Sequence, residues 1–142
     1  HVVDLVFHLF GRPKLLNSYT NGSLDWHPSA SIFSGSGKTE QDVLFSYNAN
    51  WSSAGRWGIE IILSDYKLIL KPLEKLFIQK KGSLEIKEVK LNDNLDDTYK
   101  PGLYNEVNFF LHGATKNLCT IREQLINFDW YYKIANYRDE VK

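Results

Sequence analysis

The sequence predicts an α+β fold: an open, mainly antiparallel β-sheet with helices packed on one face. Three observations lead there. Apolar side chains alternate every two residues through the middle of the 142-residue chain, helical spacing occurs near its two ends, and strand-like runs follow one another without helical patterns between them. Successive side chains on a strand point to opposite faces, and runs of strands beside runs of helices indicate α+β rather than alternating βα units. The stretch from Arg56 to Gln79 organises the rest. Trp57, Ile59, Ile61 and Leu63 fall on one side of an extended chain, with Gly58, Glu60 and Ile62 on the other. After a turn at Ser64–Asp65, Tyr66, Leu68 and Leu70 alternate with Lys67 and Ile69; Pro72 interrupts the run and Leu73 to Gln79 resumes it. This is a meander with one strongly apolar face.

The other elements follow in order. His1 to Phe10 carries Val2, Val3, Leu5, Val6, Leu9 and Phe10 as a helical stripe, ended by Gly11 and Pro13. Leu15 to Thr20 reads as a short strand closed by Asn21-Gly22, Ser31 to Ser34 as a further strand, and Val43 to Asn48 as another. Leu24 to Pro28 and Asn50 to Gly55 read as loops, the first carrying Trp26 and His27 and the second Trp51. Lys80-Lys81-Gly82 makes a turn into Ser83–Leu91, whose Glu85, Lys87, Glu88 and Lys90 mark an edge strand guarded by charge. Asn92 to Thr98 reads as an acidic loop. Pro101 suits the first turn of a helix with Leu103, Val107, Phe110 and Leu111 on its inner side, stopped by Gly113. A last helix runs from Thr120 to about Tyr137, with Thr120 and Glu123 as a capping box and Ile121, Leu125, Phe128 and Tyr132 as its apolar repeat. The expectation is one domain over residues 1–142, holding one helix, about seven strands and two helices.

Composition narrows the function classes. Hydrophobic residues at 43% and aromatics at 14% exclude an intrinsically disordered chain. Seventeen basic and seventeen acidic side chains cancel, which argues against nucleic acid or an anionic membrane as the main partner. No apolar run approaches the ~20 residues that span a bilayer. A single cysteine, Cys119, excludes an internal disulfide and fits a reducing, cytoplasmic setting. The chain opens at His1, inside a helical pattern, which reads as a piece of a longer protein.

Three motifs bear on chemistry. Gly35-Ser36-Gly37-Lys38-Thr39 resembles the end of a phosphate-binding loop, but Ile32 stands where the first glycine belongs and a strand pattern follows instead of a helix. A hairpin loop is the better reading. His1, Asp4 and His8 share one helix face, with a spacing compatible with metal ligation, although His27 and His112 have no matching spacing to complete a zinc set. The same face also suits proton transfer: a histidine titrates near pKa ~6.5, and an aspartate one turn along orients it or binds substrate hydroxyls. Trp57 and Trp130 read as core. Trp26 and Trp51, in loops, are candidates for stacking on a ligand.

Several stretches together resemble the glucose-fructose oxidoreductase/inositol dehydrogenase family, Gfo/Idh/MocA. His1-Val2-Val3-Asp4-Leu5 followed by Leu9-Phe10-Gly11-Arg12-Pro13 is similar to its H-x-x-D-L…L-x-G-x-P segment. The run Ala49 to Ile61, the run Leu68 to Glu74, and Tyr99-Lys100-Pro101-Gly102-Leu103-Tyr104 before Phe109-Phe110-Leu111 resemble its sheet and late helix, in the branch associated with sugar and surface-polysaccharide metabolism.

The resemblance implies a two-domain enzyme in which an N-terminal Rossmann domain binds NAD or NADP. A C-terminal α+β domain, matching this chain, supplies the substrate pocket and an open sheet face for homo-oligomerisation. It implies hydride transfer to or from a sugar, polyol or nucleotide sugar, with His1 as the proton-transfer residue and Asp4, Trp51, Arg56 and Lys100 as substrate contacts. No G-x-G-x-x-G occurs in the chain, so the dinucleotide site is expected elsewhere, and this chain by itself is expected to be inactive. A non-catalytic oligomerisation or ligand-binding module is the alternative.

Overall fold

The computed structural model describes residues 1–114, 116 and 118–137. Its elements are helix α1 (Val2–Phe10), strands β1 (Pro13–Asn21), β2 (Ile32–Thr39), β3 (Leu44–Asn50), β4 (Ile59–Ile62), β5 (Tyr66–Leu70), β6 (Leu76–Lys80) and β7 (Ile86–Val89), and helices α2 (Asn94–Thr98), α3 (Leu103–Leu111) and α4 (Ile121–Ala135). The fold is α+β and every described strand pairing is antiparallel. The strands form two sheets, β1-β2-β3 and β4-β5-β6-β7, where the periodicity predicts one. A polar, small-residue segment separates β3 from β4 in the sequence. Contacts divide the chain likewise into two compact units, one built mainly from Val3–Ala54 with α4, the other from Gly55–Thr120.

In the first unit, β2 runs straight through the Gly35-Ser36-Gly37-Lys38-Thr39 stretch, so that segment is a central strand and not a hairpin loop. The reason lies across the ladder. Gly35 pairs with Tyr47 and Gly37 with Phe45, and a Cβ at Gly35 would stand 2.4 Å from the Tyr47 hydroxyl. A Cβ at Gly37 would stand 2.1 Å from the Leu15 carbonyl oxygen and 2.7 Å from Phe45 Cζ. The glycines make room for two rings, a device that restores packing to strand glycines.

The actual β2–β3 turn is Glu40-Gln41-Asp42. Asp42 takes φ 64°, the left-handed residue that three-residue hairpins need. Thr39 is fully buried there and its hydroxyl accepts the Val43 amide at 3.2 Å. Lys38 pairs with Asp42 at 2.8 Å and holds its carboxyl below the usual range.

Helix α4 lies on the β1-β2-β3 face that carries these rings. The Tyr47 hydroxyl donates to the Ile134 carbonyl at 3.3 Å, and burial pushes its phenol pKa up. Asn136 Nδ2 reaches Thr20 Oγ1 at 3.4 Å. The expected inner stripe of α4 faces outward instead: Ile121, Leu125, Phe128 and Tyr132 are exposed. Its inner side is Gln124, Asn127, Tyr131 and Ile134, with Asn127 buried.

In the second unit, register puts Ile59, Ile61, Leu68, Leu70, Leu76, Ile78 and Val89 on one face and Glu60, Ile62, Lys67, Ile69, Phe77, Gln79, Ile86 and Glu88 on the other. The charged strand β7 is an edge, as its sequence predicts. The Asn92–Thr98 segment contains the short helix α2 rather than loop alone. A helix forms after Pro101, but α3 begins at Leu103 behind the N-cap Gly102 at φ 76°, so Pro101 precedes the helix instead of occupying its first turn, and the stripe is not an inner one: Leu103, Val107, Phe110 and Leu111 are exposed, Phe110 at 75%. Trp57, expected in the core, is 56% exposed.

Candidate functional site

The densest constellation of polar side chains joins the two ends of the first unit. Asp4, in the first turn of α1, does not lie on a solvated helix face; it is half-buried and turned to α4. Its Oδ1 accepts hydrogen bonds from the Tyr131 hydroxyl and from Asn127 Nδ2, the latter at 3.3 Å. Asn127 Oδ1 accepts from Arg12 Nε at 2.6 Å, and Gln124 Nε2 reaches the Tyr131 hydroxyl at 3.4 Å. The ring of Phe7 stacks on Tyr131 at 6.1 Å and 7°.

Helix geometry explains why these groups meet. Asp4 and Phe7 are one turn apart on α1, while Gln124, Asn127 and Tyr131 are three and four apart on α4. Arg12 enters from the short connection that Gly11 opens, at φ 77°. Desolvation, then the Asp4 carboxylate, push the Tyr131 phenol up to about 12.

The sign of the pH effect follows. A phenol whose pKa is raised on folding contributes its full stabilisation below its ordinary value of 10.0, and loses it as pH climbs toward about 12. Asp4→Ala would leave the Tyr131 hydroxyl and an Asn127 amide proton without their acceptor. It should cost ~1–3 kcal/mol in urea unfolding, and Asp4→Asn should bring the Tyr131 titration, followed by NMR, down toward 10.0. A Tyr131 titration unmoved by Asp4→Asn would show that the carboxylate does not set it.

The sequence-predicted site residues distribute as follows. His1 is exposed at the N-cap of α1, one helical turn before Asp4. Trp51 lies in the turn after β3, exposed, edge-on to Trp26 at 5.4 Å. The pair continues a line of rings through His27, Tyr137, Tyr132 and Phe128 to Tyr131. His27 is fixed by Ala30 O at 2.8 Å and by the Tyr137 hydroxyl. Arg56 and Lys100 are exposed and belong to the second unit. Trp130 is half-buried, with Lys133 Nζ 4.3 Å above its ring.

Arg12, Gln124, Asn127 and Tyr131 are the members that sequence reasoning missed. The signal for Gln124, Asn127 and Tyr131 was a polar stripe at helical spacing on α4, masked by the louder apolar repeat beside it, while Arg12 lies in the connection after α1. Among the described residues, no group of three or more His, Cys, Asp or Glu side chains is placed to hold a metal ion. No described helix is long and apolar enough to cross a membrane. In comparisons with known proteins, no family model, curated protein or solved structure matches this chain.

Proposed function

We propose that this chain is the substrate-binding and assembly domain of a cytoplasmic NAD(P)-dependent oxidoreductase of the Gfo/Idh/MocA kind, acting on a hydroxyl or carbonyl of a sugar, polyol or nucleotide sugar. The observation that carries the proposal is helix α1: the H-x-x-D-L segment forms a helix that exposes His1 at its start and ties Asp4, one turn on, to α4. A base at the end of a helix anchored this way is held in one place, which general base catalysis requires. His1 takes the proton of the reacting hydroxyl at a ring nitrogen; Asp4 holds the helix that presents it. Trp51, in the same unit as His1, contributes a sugar contact. NAD or NADP exchanges the hydride, and this chain's own residues do not fit it: Gly35-Ser36-Gly37-Lys38 is sheet interior and no helix N-terminus follows it.

A second reading, a non-catalytic oligomerisation or binding module, has its own support. Ile62, 82% exposed, shares a sheet face with Ile69 beside the Glu60–Lys67 ion pair, and exposed apolar area of this kind marks interfaces. In the enzyme reading the same face joins two subunits. The two readings separate on one assay: nicotinamide absorbance in a full-length protein carrying this chain, incubated with NAD or NADP and a panel of sugars, polyols and nucleotide sugars. Turnover of one of them supports the enzyme. No turnover of any, together with intact folding, leaves the module.

A further inference from the structure

Phe128, Tyr132, Tyr137, His27, Trp26 and Trp51 form one run of rings within the first unit, with neighbouring centroids 5.3 to 5.7 Å apart. A satellite cluster under a loop would hide its rings, yet Trp26 is 66% and Trp51 58% exposed.

The rings are also held in place. Trp26 sits in a tight turn closed by two backbone bonds between Leu24 and His27, at 2.9 and 3.0 Å. The Trp51 amide donates to the Ser31 carbonyl at 2.9 Å. His27 Nδ1 faces the Ala30 carbonyl, which can only accept, so that nitrogen carries the proton; in the neutral ring Nε2 then accepts from the Tyr137 hydroxyl. The Tyr137 oxygen keeps a lone pair for a further donor. Aromatic surface fixed in this way loses little conformational entropy on binding.

At one end of the run lies an open groove of about 670 Å³ beside β1 and α4, within the ~300–1,000 Å³ of small-molecule sites. Leu16, Phe128, Tyr132 and Tyr137 give it apolar surface. Ser18 and Asn136 add a hydroxyl and an amide, and Asp129 and Lys133 add opposite charges.

We propose that this groove and the ring run leading from it bind an uncharged oligosaccharide. Sugar C–H faces pack on rings, and a sugar hydroxyl both donates and accepts. Such a ligand meets the carboxylate, ammonium, amide and hydroxyl of the groove without a charge of its own. A purely apolar partner would leave those four groups desolvated and unpaired. Single-stranded nucleic acid also stacks on aromatic platforms, but its phosphates need a track of Lys and Arg. Among the described residues, the groove's two charges cancel and the turn carrying Trp26 adds only Asp25. The length of the run favours a chain of sugars over a single one. This site goes beyond the proposed function: it shares Trp51 with it but needs neither His1 nor a nicotinamide, and it suits enzyme and module alike.

Titration calorimetry of a full-length protein carrying this chain tests the proposal. The probes are cellohexaose, maltohexaose and chitohexaose, with their monosaccharides and a thymidine oligonucleotide as controls. At least one hexaose should bind ~10-fold or more tighter than its monosaccharide, because further contacts along a held chain are intramolecular. Trp26→Ala and Tyr132→Ala should each raise that Kd ~10-fold or more, as loss of an aromatic anchor does, with unchanged circular dichroism spectra. His1→Ala should leave it unchanged, so hexaose binding stands or falls separately from turnover. No binding of any hexaose at millimolar concentration would overturn the proposal. So would a hexaose held equally well by both aromatic variants, or the oligonucleotide binding more tightly than every hexaose.

Discussion

Replacing His1 by alanine in a full-length protein that carries this chain should lower kcat by ~10²–10⁴-fold, the usual worth of a positioned general base. The backbone of His1 accepts the first intrahelical hydrogen bond, from the Leu5 amide at 3.0 Å, and its side chain makes no capping bond. Alanine therefore preserves the start of α1, and the Asp4 bonds to Tyr131 and Asn127 keep the helix seated. The loss should fall on turnover, not on folding. His8→Ala, exposed on the same helix two turns further on, is the control and should retain turnover. Equal activity in wild type and His1→Ala would remove the histidine from the mechanism and leave the module as the better account.

The largest effect on stability should come from Gly37. An alanine there would need its Cβ within 2.1 Å of the Leu15 carbonyl oxygen and 2.7 Å of Phe45 Cζ. Neither neighbour can yield cheaply, because one is ladder backbone and the other is a ring packed across the strand. Overpacking of this kind costs ~1–3 kcal/mol, sometimes more, against a total stability of roughly 5–15 kcal/mol for a domain. Gly37→Ala should lower the urea midpoint markedly, and Gly37→Val should leave the first unit largely unfolded. Gly55→Ala, with open space around its Cβ, should change stability by less than ~0.5 kcal/mol. A Gly37→Ala chain as stable as wild type would mean that β2 and β3 pack less closely than described.

The same glycine shows where local sequence stops being informative. Strands β4 to β6 declared themselves because Ile59, Ile61, Leu68 and Leu70 alternate with polar or opposite-face partners, and β7 did so through its charges. The Gly-Ser-Gly-Lys run has no strand propensity of its own; what makes it a strand is the pair of rings at Phe45 and Tyr47 on the next strand. Helix α4 was legible as a helix but not as to which side faces inward. Periodicity finds a stripe, and the neighbour decides whether that stripe is covered. Here the sheet receives the polar one, because Asp4 and Arg12 supply partners for Asn127 and Tyr131 that no window of local sequence contains. Asp4 stood out in sequence as a candidate ligand of substrate; the structure commits its Oδ1 to two protein donors.

That tie between Asp4 and Tyr131 has a consequence for the order in which the chain can fold. The first unit is discontinuous: the whole of the second, Gly55–Thr120, is synthesised between its sheet and the helix that closes it. During synthesis the second unit is complete before α4 has emerged. Until then β1-β2-β3 waits with its ring-bearing face bare, and Asp4 waits without Tyr131 and Asn127. Contacts this distant in sequence form late, because the intervening chain must be closed into a loop first. A ribosome stalled before Ile121 would therefore present a finished second unit and an open, adhesive first one.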